Sequence, residues 1–162
     1  ILRIARETSQ LVEAGGGIRD MDTVAYYLQN GVSRVVLGSA ALENPQLVKK
    51  AVEQYGSRVA VGIDAKNGMV SARGWLSDSL TDYLSLAGKM ELAGAGWIVF
   101  TDISKDGMME GPNLSQLRIR SLDDLKALDA ANIESAILGK ALYTGAIDLA
   151  EAIHWAGVQR EG

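Results

Sequence analysis

The fold of this chain is decided by the stretch Leu-Val-Glu-Ala-Gly-Gly-Gly-Ile-Arg at residues 11–19. A short apolar run leads here directly into three glycines, and the same arrangement returns where the run Val-Val-Leu at 35–37 leads into Gly38. Each run is about as long as one buried strand of a parallel sheet. Because residues 20–31 between them have a helical pattern, the order strand, glycine turn, helix and strand predicts a βα unit of an α/β fold.

The same alternation continues to the end of the chain. The strands are predicted at residues 11–14, 35–37, 59–63, 97–100 and 136–138. N-capping residues and terminal glycines predict helices from Asp20 to Gly31, from Asn44 to about Gly56, from about Leu80 to Gly94, from Ser121 onward, and from about Ile147 to Ala156. Repeated βα units of this kind are typical of a parallel sheet.

The chain also repeats itself with an offset of 101 residues. Six of the 23 positions from 18 to 40 are identical to the position 101 residues later; for example, Ile18 matches Ile119 and Gly38 matches Gly139. This predicts a single domain, residues 1–162, that contains an internal repeat with the units 11–56 and 119–157.

The two units differ directly before the matched isoleucines. Residues 15–17 are three glycines, whereas residues 116–118 are Gln-Leu-Arg, with no glycine and no apolar run before them. The segment between Phe100 and Ser121 has room for one loop but not for a loop, a helix and a strand. We therefore expect one strand of the repeat to be absent there.

Glycines that directly follow strands are candidate phosphate-binding residues. They let backbone N–H groups approach an anion closely, and the next helix start adds its positive dipole end. The duplicated pattern predicts two such seats and hence a ligand with two phosphates, although tight βα turns alone could explain each glycine. Neither a Rossmann fingerprint nor a P-loop motif occurs. The candidates are Gly16, Gly17, Gly38 and Ser39, with Gly139 and Lys140 in the second unit.

Acidic and hydroxyl residues stand at the ends of two predicted strands. Asp64 follows the run 59–63, and Thr101 with Asp102 follows the run 97–100. In a parallel α/β barrel the carboxyl ends of the strands meet at one mouth, where a partly buried acid can transfer protons. The alternative is that each aspartate only caps the turn that follows it.

Two polar segments offer further candidates for ligand binding. Arg73 and Trp75 combine a cation with a flat ring, which suits an aromatic anionic substrate, although a lone exposed pair is the simpler interpretation. Asp106 lies in a polar segment that is expected to cover the mouth, and ordinary turn chemistry explains it equally well. Glu13 and His154 receive no functional role.

Composition excludes several classes of function. The 162 residues contain 16 basic and 20 acidic side chains, no cysteine and one histidine. A net charge of −4 without a basic tract argues against nucleic-acid or acidic-membrane partners. No apolar stretch approaches the roughly 18 residues of a membrane span. Without cysteines or a second histidine, disulfides, thiolate nucleophiles and multi-histidine metal sites are not expected.

Taken together, these motifs resemble the HisA family, the ProFAR isomerases of histidine biosynthesis. The resemblance covers nearly the whole chain and implies a (β/α)8 TIM barrel built from two half-barrels, with a substrate that has a phosphate at each end. It rests on residues 13–19, 38–45, 62–65, 73–75, 101–107 and 111–114.

The resemblance implies an Amadori rearrangement of the aminoaldose ProFAR to the aminoketose PRFAR, without a metal or an organic cofactor. Asp64 matches the family's general acid, which protonates the ribose ring oxygen, and Thr101 matches a residue that hydrogen-bonds near the reacting sugar. Substrate or loop contacts are implied for Arg19, Arg73, Trp75 and Asp106. We also expect a monomeric, cytoplasmic protein that binds a small bisphosphate.

The sequence departs from the family pattern in two places. It starts inside the helix that would follow the second strand, so the first two strands and the general-base aspartate on the first are absent, and the seventh strand is absent as well. A closed barrel usually needs about 250 residues. We expect an incomplete barrel whose sequence omits residues of a longer protein; the alternative is a true fragment.

Three other functions remain open at this point. One is the cyclase subunit of imidazole glycerol phosphate synthase, which is built on the same frame. Another is a dual isomerase that also acts on phosphoribosyl anthranilate. The third is a non-catalytic, phosphate-binding half-barrel that pairs with another chain.

Overall fold

The computed structural model describes two compact units of the chain, Ile1–Ser104 and Lys105–Gly162. The described residues are 1–72, 77–103, 121–130, 136–138 and 140–160, with the backbone alone at 77, 78, 140 and 158–160.

The first unit is an α/β sheet with helices between its strands. Its strands β1, β2, β3 and β6 are parallel and adjacent in that order, and β4 and β5 form an antiparallel extension from the end of β3. The elements are α1 (Leu2–Glu7), β1 (Glu13–Gly15), α2 (Met21–Gln29), β2 (Arg34–Leu37), α3 (Ser39–Glu43), α4 (Pro45–Tyr55), a 3-10 turn (Gly56–Arg58), β3 (Val59–Lys66), β4 (Met69–Ala72), β5 (Ser77–Asp82), α5 (Tyr83–Leu92) and β6 (Ile98–Asp102).

The parallel sheet confirms the predicted α/β class. The sheet formed by the described residues does not close into a barrel, which is consistent with the incomplete barrel that the sequence predicts. The helix expected at the start of the chain is present as α1. Helices α2 and α4 follow their predicted caps, since the side chains of Asp20 and Asn44 accept hydrogen bonds from the backbone of Thr23 and Leu47.

Three predicted elements need correction. The first strand begins at Glu13 rather than at Leu11, whose side chain is 87% exposed. Residues 80–82 belong to β5 rather than to a helix, because α5 begins after Asp82, whose side chain caps it by accepting a hydrogen bond from the Ser85 amide at 2.9 Å. The strand predicted at 136–138 is wrong: these residues pair with no strand among the described residues, and an apolar run without a neighbour forms no ladder.

The β3–β4 hairpin is an element that the sequence interpretation missed. Its turn consists of Asn67 and Gly68, both with positive φ angles of 51° and 83°. A two-residue turn of this kind favours Asn-Gly because its handedness matches the twist of the two strands. The Asn-Gly dipeptide in the sequence could therefore have predicted this hairpin. Asp64 lies within β3, three residues before this turn.

The two faces of the sheet differ in what covers them. The face of Leu37, Val61 and Ile63 packs against buried residues of α2, α4 and α5 and forms the core. Since side chains alternate along a strand, Gly62 and Asp64 lie on the opposite face. We call this opposite face the inner face, because it would line the interior of a barrel.

The inner face carries a polar cluster at the amino ends of the strands. The Arg34 guanidinium donates to the Glu13 carboxylate at 2.7 Å and to the Ser57 carbonyl at 3.2 Å, and it lies 4.3 Å from the centre of the Trp97 ring. Both charged side chains are partly exposed, so the ion pair contributes at most about 1 kcal/mol. The sequence analysis assigned no role to Glu13. In the structure its carboxylate links β1 to β2 through Arg34.

The Asp20 cap of α2 gives a prediction for acid stability. The hydrogen bond from the Thr23 backbone amide holds the pKa of Asp20 below its usual 3.8. A lowered folded-state pKa means that the carboxylate contributes stability above the unfolded-state pKa and that this contribution is lost as the pH falls through the folded-state pKa. Asn caps as well as Asp but does not titrate. We expect the stability difference between the unmodified protein and Asp20→Asn to shrink between about pH 6 and about pH 3.

Urea denaturation at several pH values measures this difference. A stability difference that stays constant over the range would show that the Asp20 carboxylate is not coupled to folding. Asp22→Asn, which removes another carboxylate of the same first turn and leaves the Asp20 side chain in place, is the matched control.

The second unit contains three described helices, α6 (Leu122–Ala130), α7 (Lys140–Tyr143) and α8 (Leu149–Arg160). The start of α6 is capped as predicted, since the Ser121 hydroxyl accepts from the Asp124 backbone amide at 3.2 Å and the Asp124 carboxylate accepts from the Ser121 backbone amide at 3.0 Å. Helix α6 starts and ends 101 residues after α2, in agreement with the offset of the repeat, which itself stays a prediction. Among the helices described in both units, none combines the length and the apolar character needed to cross a membrane.

Candidate functional site

The carboxyl ends of the four parallel strands bring most of the described candidates to one edge of the first unit. Gly16 and Gly17 follow β1, Gly38 and Ser39 follow β2, and Thr101 lies near the end of β6. Because these strands are parallel and each is hydrogen-bonded to the next in the sheet, their carboxyl ends share this edge. The structure thus places these residues of the first unit near one another, while their role stays a prediction.

The glycine turn after β1 requires glycine for its backbone. Gly16 and Gly17 have φ angles of +90° and +73°, a region that other residues avoid. A Cβ atom built on either residue would meet nothing within 4 Å, so the space in front of this turn is open. The turn ends at Asp20, and Arg19 within it is exposed to solvent. The turn is therefore accessible to a ligand, as a phosphate seat requires.

Asp64 and Thr101 are cross-strand neighbours. They are paired in the parallel register of β3 and β6, so both side chains lie on the inner face and both are half-buried. Adjacent strands are about 4.8 Å apart, which places a carboxyl and a hydroxyl within reach of one small molecule. Asp102 is paired with buried Ala65 and lies on the opposite face. Of the two aspartates that end strands, only Asp64 can serve this site.

A recess at the carboxyl edge of the strands joins Asp64 to the glycine turn after β2. It is a small recess that is partly open to solvent. The acid and the candidate phosphate seat thus line one cavity. Its lining residues are Gly38, Ser39, Leu42, Gly62, Asp64, Val70, Ser71 and Ala72.

Gly62 keeps this recess open. A Cβ atom at this position would lie 3.2 Å from Cγ1 of Val36 and 3.5 Å from Cα of Gly38. Any side chain would therefore crowd β2 and fill the space between Asp64 and the turn at Gly38. Sequence reasoning quoted Gly62 as part of a motif but assigned it no role, because the approach of β2 is a tertiary contact.

Ser71 is a second residue of the site that the sequence did not indicate. It lies on β4, in register with Asp64 on the side opposite to Thr101. The Asn-Gly turn was the only local signal for the hairpin that brings it there. Asp64 thus stands between two hydroxyl residues, one on each neighbouring strand.

The remaining predicted site residues cannot be placed together with this recess. Arg73, Trp75, Asp106 and Gly139 lie outside the described residues. Lys140 is described by its backbone alone and begins α7 in the second unit. The second phosphate seat therefore stays a prediction. Within the described ranges, no three acidic or histidine side chains are grouped closely enough to hold a metal ion.

These features define the class of protein. It is an α/β protein built from βα units, with helices on one face of a parallel sheet and a polar recess at the carboxyl edge of its strands. In TIM-barrel enzymes this edge carries the active site.

A comparison with known families makes the assignment specific. The model of the histidine biosynthesis protein family matches residues 1–148, and the chain belongs to this family. The family is the one that the sequence motifs resemble, so the resemblance is confirmed.

Several curated relatives of this chain share one name. Proteins from Clostridium botulinum, Clostridium beijerinckii and Listeria monocytogenes are 44%, 42% and 45% identical to this chain, over 94%, 100% and 88% of its length. Each is named 1-(5-phosphoribosyl)-5-((5-phosphoribosylamino)methylideneamino) imidazole-4-carboxamide isomerase. The chain covers 71%, 72% and 65% of their respective lengths.

The alignments also contain positions that this chain lacks. The alignment with the Clostridium beijerinckii protein spans 177 positions and includes the whole chain, which has only 162 residues. At least 15 positions of that relative therefore have no counterpart in this sequence.

Proposed function

We propose that this chain forms part of the active site of a cofactor-independent aldose–ketose isomerase that converts ProFAR to PRFAR in histidine biosynthesis. One observation carries the proposal: Asp64 and the glycine turn at Gly38 and Ser39 line a single recess at the carboxyl edge of the sheet. A phosphorylated sugar held at the turn would present its ring to the acid. The names of the relatives support the same reaction.

In this proposal Asp64 is the general acid. It protonates the ribose ring oxygen, the C–O bond of the ring breaks, and the open sugar becomes a Schiff base. A general base then removes a proton from the adjacent carbon, which gives an enolamine that converts to the ketone. The sequence contains no match to the family's first-strand base, and no residue of this chain is assigned that role. Thr101, beside Asp64, donates or accepts a hydrogen bond at the sugar.

Phosphate binding uses backbone amides rather than an array of cations. The open turn at Gly16 and Gly17 and the turn at Gly38 and Ser39 lie on adjacent strands and form the first seat. By the sequence repeat, Gly139 and Lys140 form the second seat, for the other phosphate of the substrate. Arg19, Arg73, Trp75 and Asp106 contact the substrate or close over it.

The proposal also includes the architecture of the complete protein. The chain forms most of a (β/α)8 barrel with two half-barrel repeats, and the missing strands belong to the longer protein. The alignment positions without a counterpart support this interpretation. We further propose a cytoplasmic monomer that acts on a small bisphosphate and binds neither nucleic acid nor membranes.

Four assays on the complete protein that contains these residues separate the proposal from its alternatives. We expect conversion of ProFAR to PRFAR, followed by the change in ultraviolet absorbance when PRFAR is consumed by a coupling cyclase, with no requirement for an added metal or cofactor. Turnover of phosphoribosyl anthranilate would identify a dual isomerase. Ammonia-dependent cyclisation of PRFAR without isomerisation would contradict the proposal and identify a cyclase. Binding of ProFAR without turnover would identify a non-catalytic half-barrel.

A further inference from the structure

Ser71 differs from the other polar residues of the first unit in its burial. Its side chain is 6% exposed, and among the side chains that the structure describes it is the only polar one that is buried. A hydroxyl group is costly to bury unless it makes hydrogen bonds, so a buried serine on a strand calls for a physical reason. Alanine would fill the same position without that cost.

The register of the hairpin supplies such a reason. Ser71 stands directly opposite Asp64 in the antiparallel pair of β3 and β4. Directly opposed residues lie on the same face, with Cβ atoms about 5 Å apart. The flanking Val70 belongs to the core on the other face, which fixes the side to which Ser71 turns. Ser71 also lines the recess that contains Asp64 and Gly38.

The hairpin interrupts the parallel sheet at this point. Asp64 pairs with parallel β6 on one side and with antiparallel β4 on the other. Its two neighbours are therefore Thr101, which is half-buried, and Ser71, which is buried. A hydroxyl that is held rigidly can keep a neighbouring carboxyl group in one orientation, because it offers one donor and two acceptor sites.

We propose that Ser71 is a positioning residue for Asp64, whose hydroxyl holds the carboxyl group toward the ring oxygen of the sugar. This inference rests on the proposed function, since it assigns Asp64 the role of general acid. Ser71 itself does not touch the reacting atoms. In this arrangement Thr101, on the open side of Asp64, contacts the substrate.

The matched pair Ser71→Thr and Ser71→Val tests this role. Threonine and valine have the same shape and the same strain at this buried position, and only threonine keeps the hydroxyl. We expect kcat for ProFAR in Ser71→Val to be roughly 10- to 100-fold below that of Ser71→Thr, the range for losing a hydrogen bond to the negative charge that develops on Asp64 as it gives up its proton. KM and the thermal midpoint should differ little between the two variants. Ser71→Ala, which adds no volume, repeats the test if neither variant folds.

The same pair in the Asp64→Asn background shows whether the hydroxyl acts through Asp64. Groups that act as a unit are non-additive, so the two Ser71 variants should then have equal kcat. Equal kcat of Ser71→Thr and Ser71→Val with Asp64 present would overturn the inference, as would a difference that persists without Asp64. Absence of ProFAR turnover in the unmodified protein would instead overturn the proposed function, and the inference with it.

Discussion

Replacing Asp64 by asparagine is expected to lower kcat for ProFAR by roughly 10² to 10⁴, the usual contribution of a general acid or base. Asparagine has nearly the shape of aspartate but has no acidic proton to give to the ring oxygen. Because Asp64 is half-buried at the open recess rather than in the core, the thermal midpoint should remain close to that of the unmodified protein. Steady-state turnover and thermal unfolding of the same preparation measure both quantities.

Asp102→Asn is the matched control for this substitution. Asp102 also lies near the end of a strand at the carboxyl edge, but it is paired with Ala65 and faces away from the recess. Its variant should keep turnover close to that of the unmodified protein. If Asp102→Asn lost as much activity as Asp64→Asn, the loss would come from disturbing the ends of the strands rather than from removing a general acid. Near-normal turnover in Asp64→Asn would remove this residue from the chemistry.

The second large effect concerns stability. Leu37, the last residue of β2, is fully buried and is among the largest side chains without exposed surface. Leu37→Ala leaves a cavity between the sheet and its helices, and such changes cost about 2–5 kcal/mol. For a chain of this size that corresponds to a thermal midpoint lower by roughly 5–15 °C. Calorimetry or thermal circular dichroism measures the shift.

The control for Leu37→Ala is Leu92→Ala, at the exposed end of α5. Leu92 is 89% exposed, and its replacement should change stability by less than about 0.5 kcal/mol. Below its melting temperature, Leu37→Ala should also retain far more turnover than Asp64→Asn, since Leu37 lies on the core face. Equal melting temperatures of the two leucine variants would show that Leu37 is not part of a packed core.

Several local features of the fold could be predicted from residues close together in the sequence. The caps at Asp20, Asn44 and Ser121 are bonds to backbone amides three residues away, and all three are present. The runs that became β2 and β3 were likewise visible as short apolar stretches. The run at 136–138 has the same composition but forms no strand, since a strand also needs a neighbour with which to pair.

The candidate site was predictable only in part. Asp64, Thr101 and Gly38 were found because polar residues and glycines directly follow apolar runs, which is a pattern in the sequence. Gly62 and Ser71 were missed because their roles arise from contacts with β2 and with Asp64 across the sheet.

The sequence by itself determined the α/β class, the helix caps and the family, because these depend on residue types at short and regular spacings. Only the tertiary structure decided that Asp64 stands between Thr101 and Ser71 and shares a recess with Gly38. The physical reason is strand register. The pairing of Asp64 with Thr101 joins residues far apart in the chain, and it is set by the packing of the whole core rather than by the preferences of either segment.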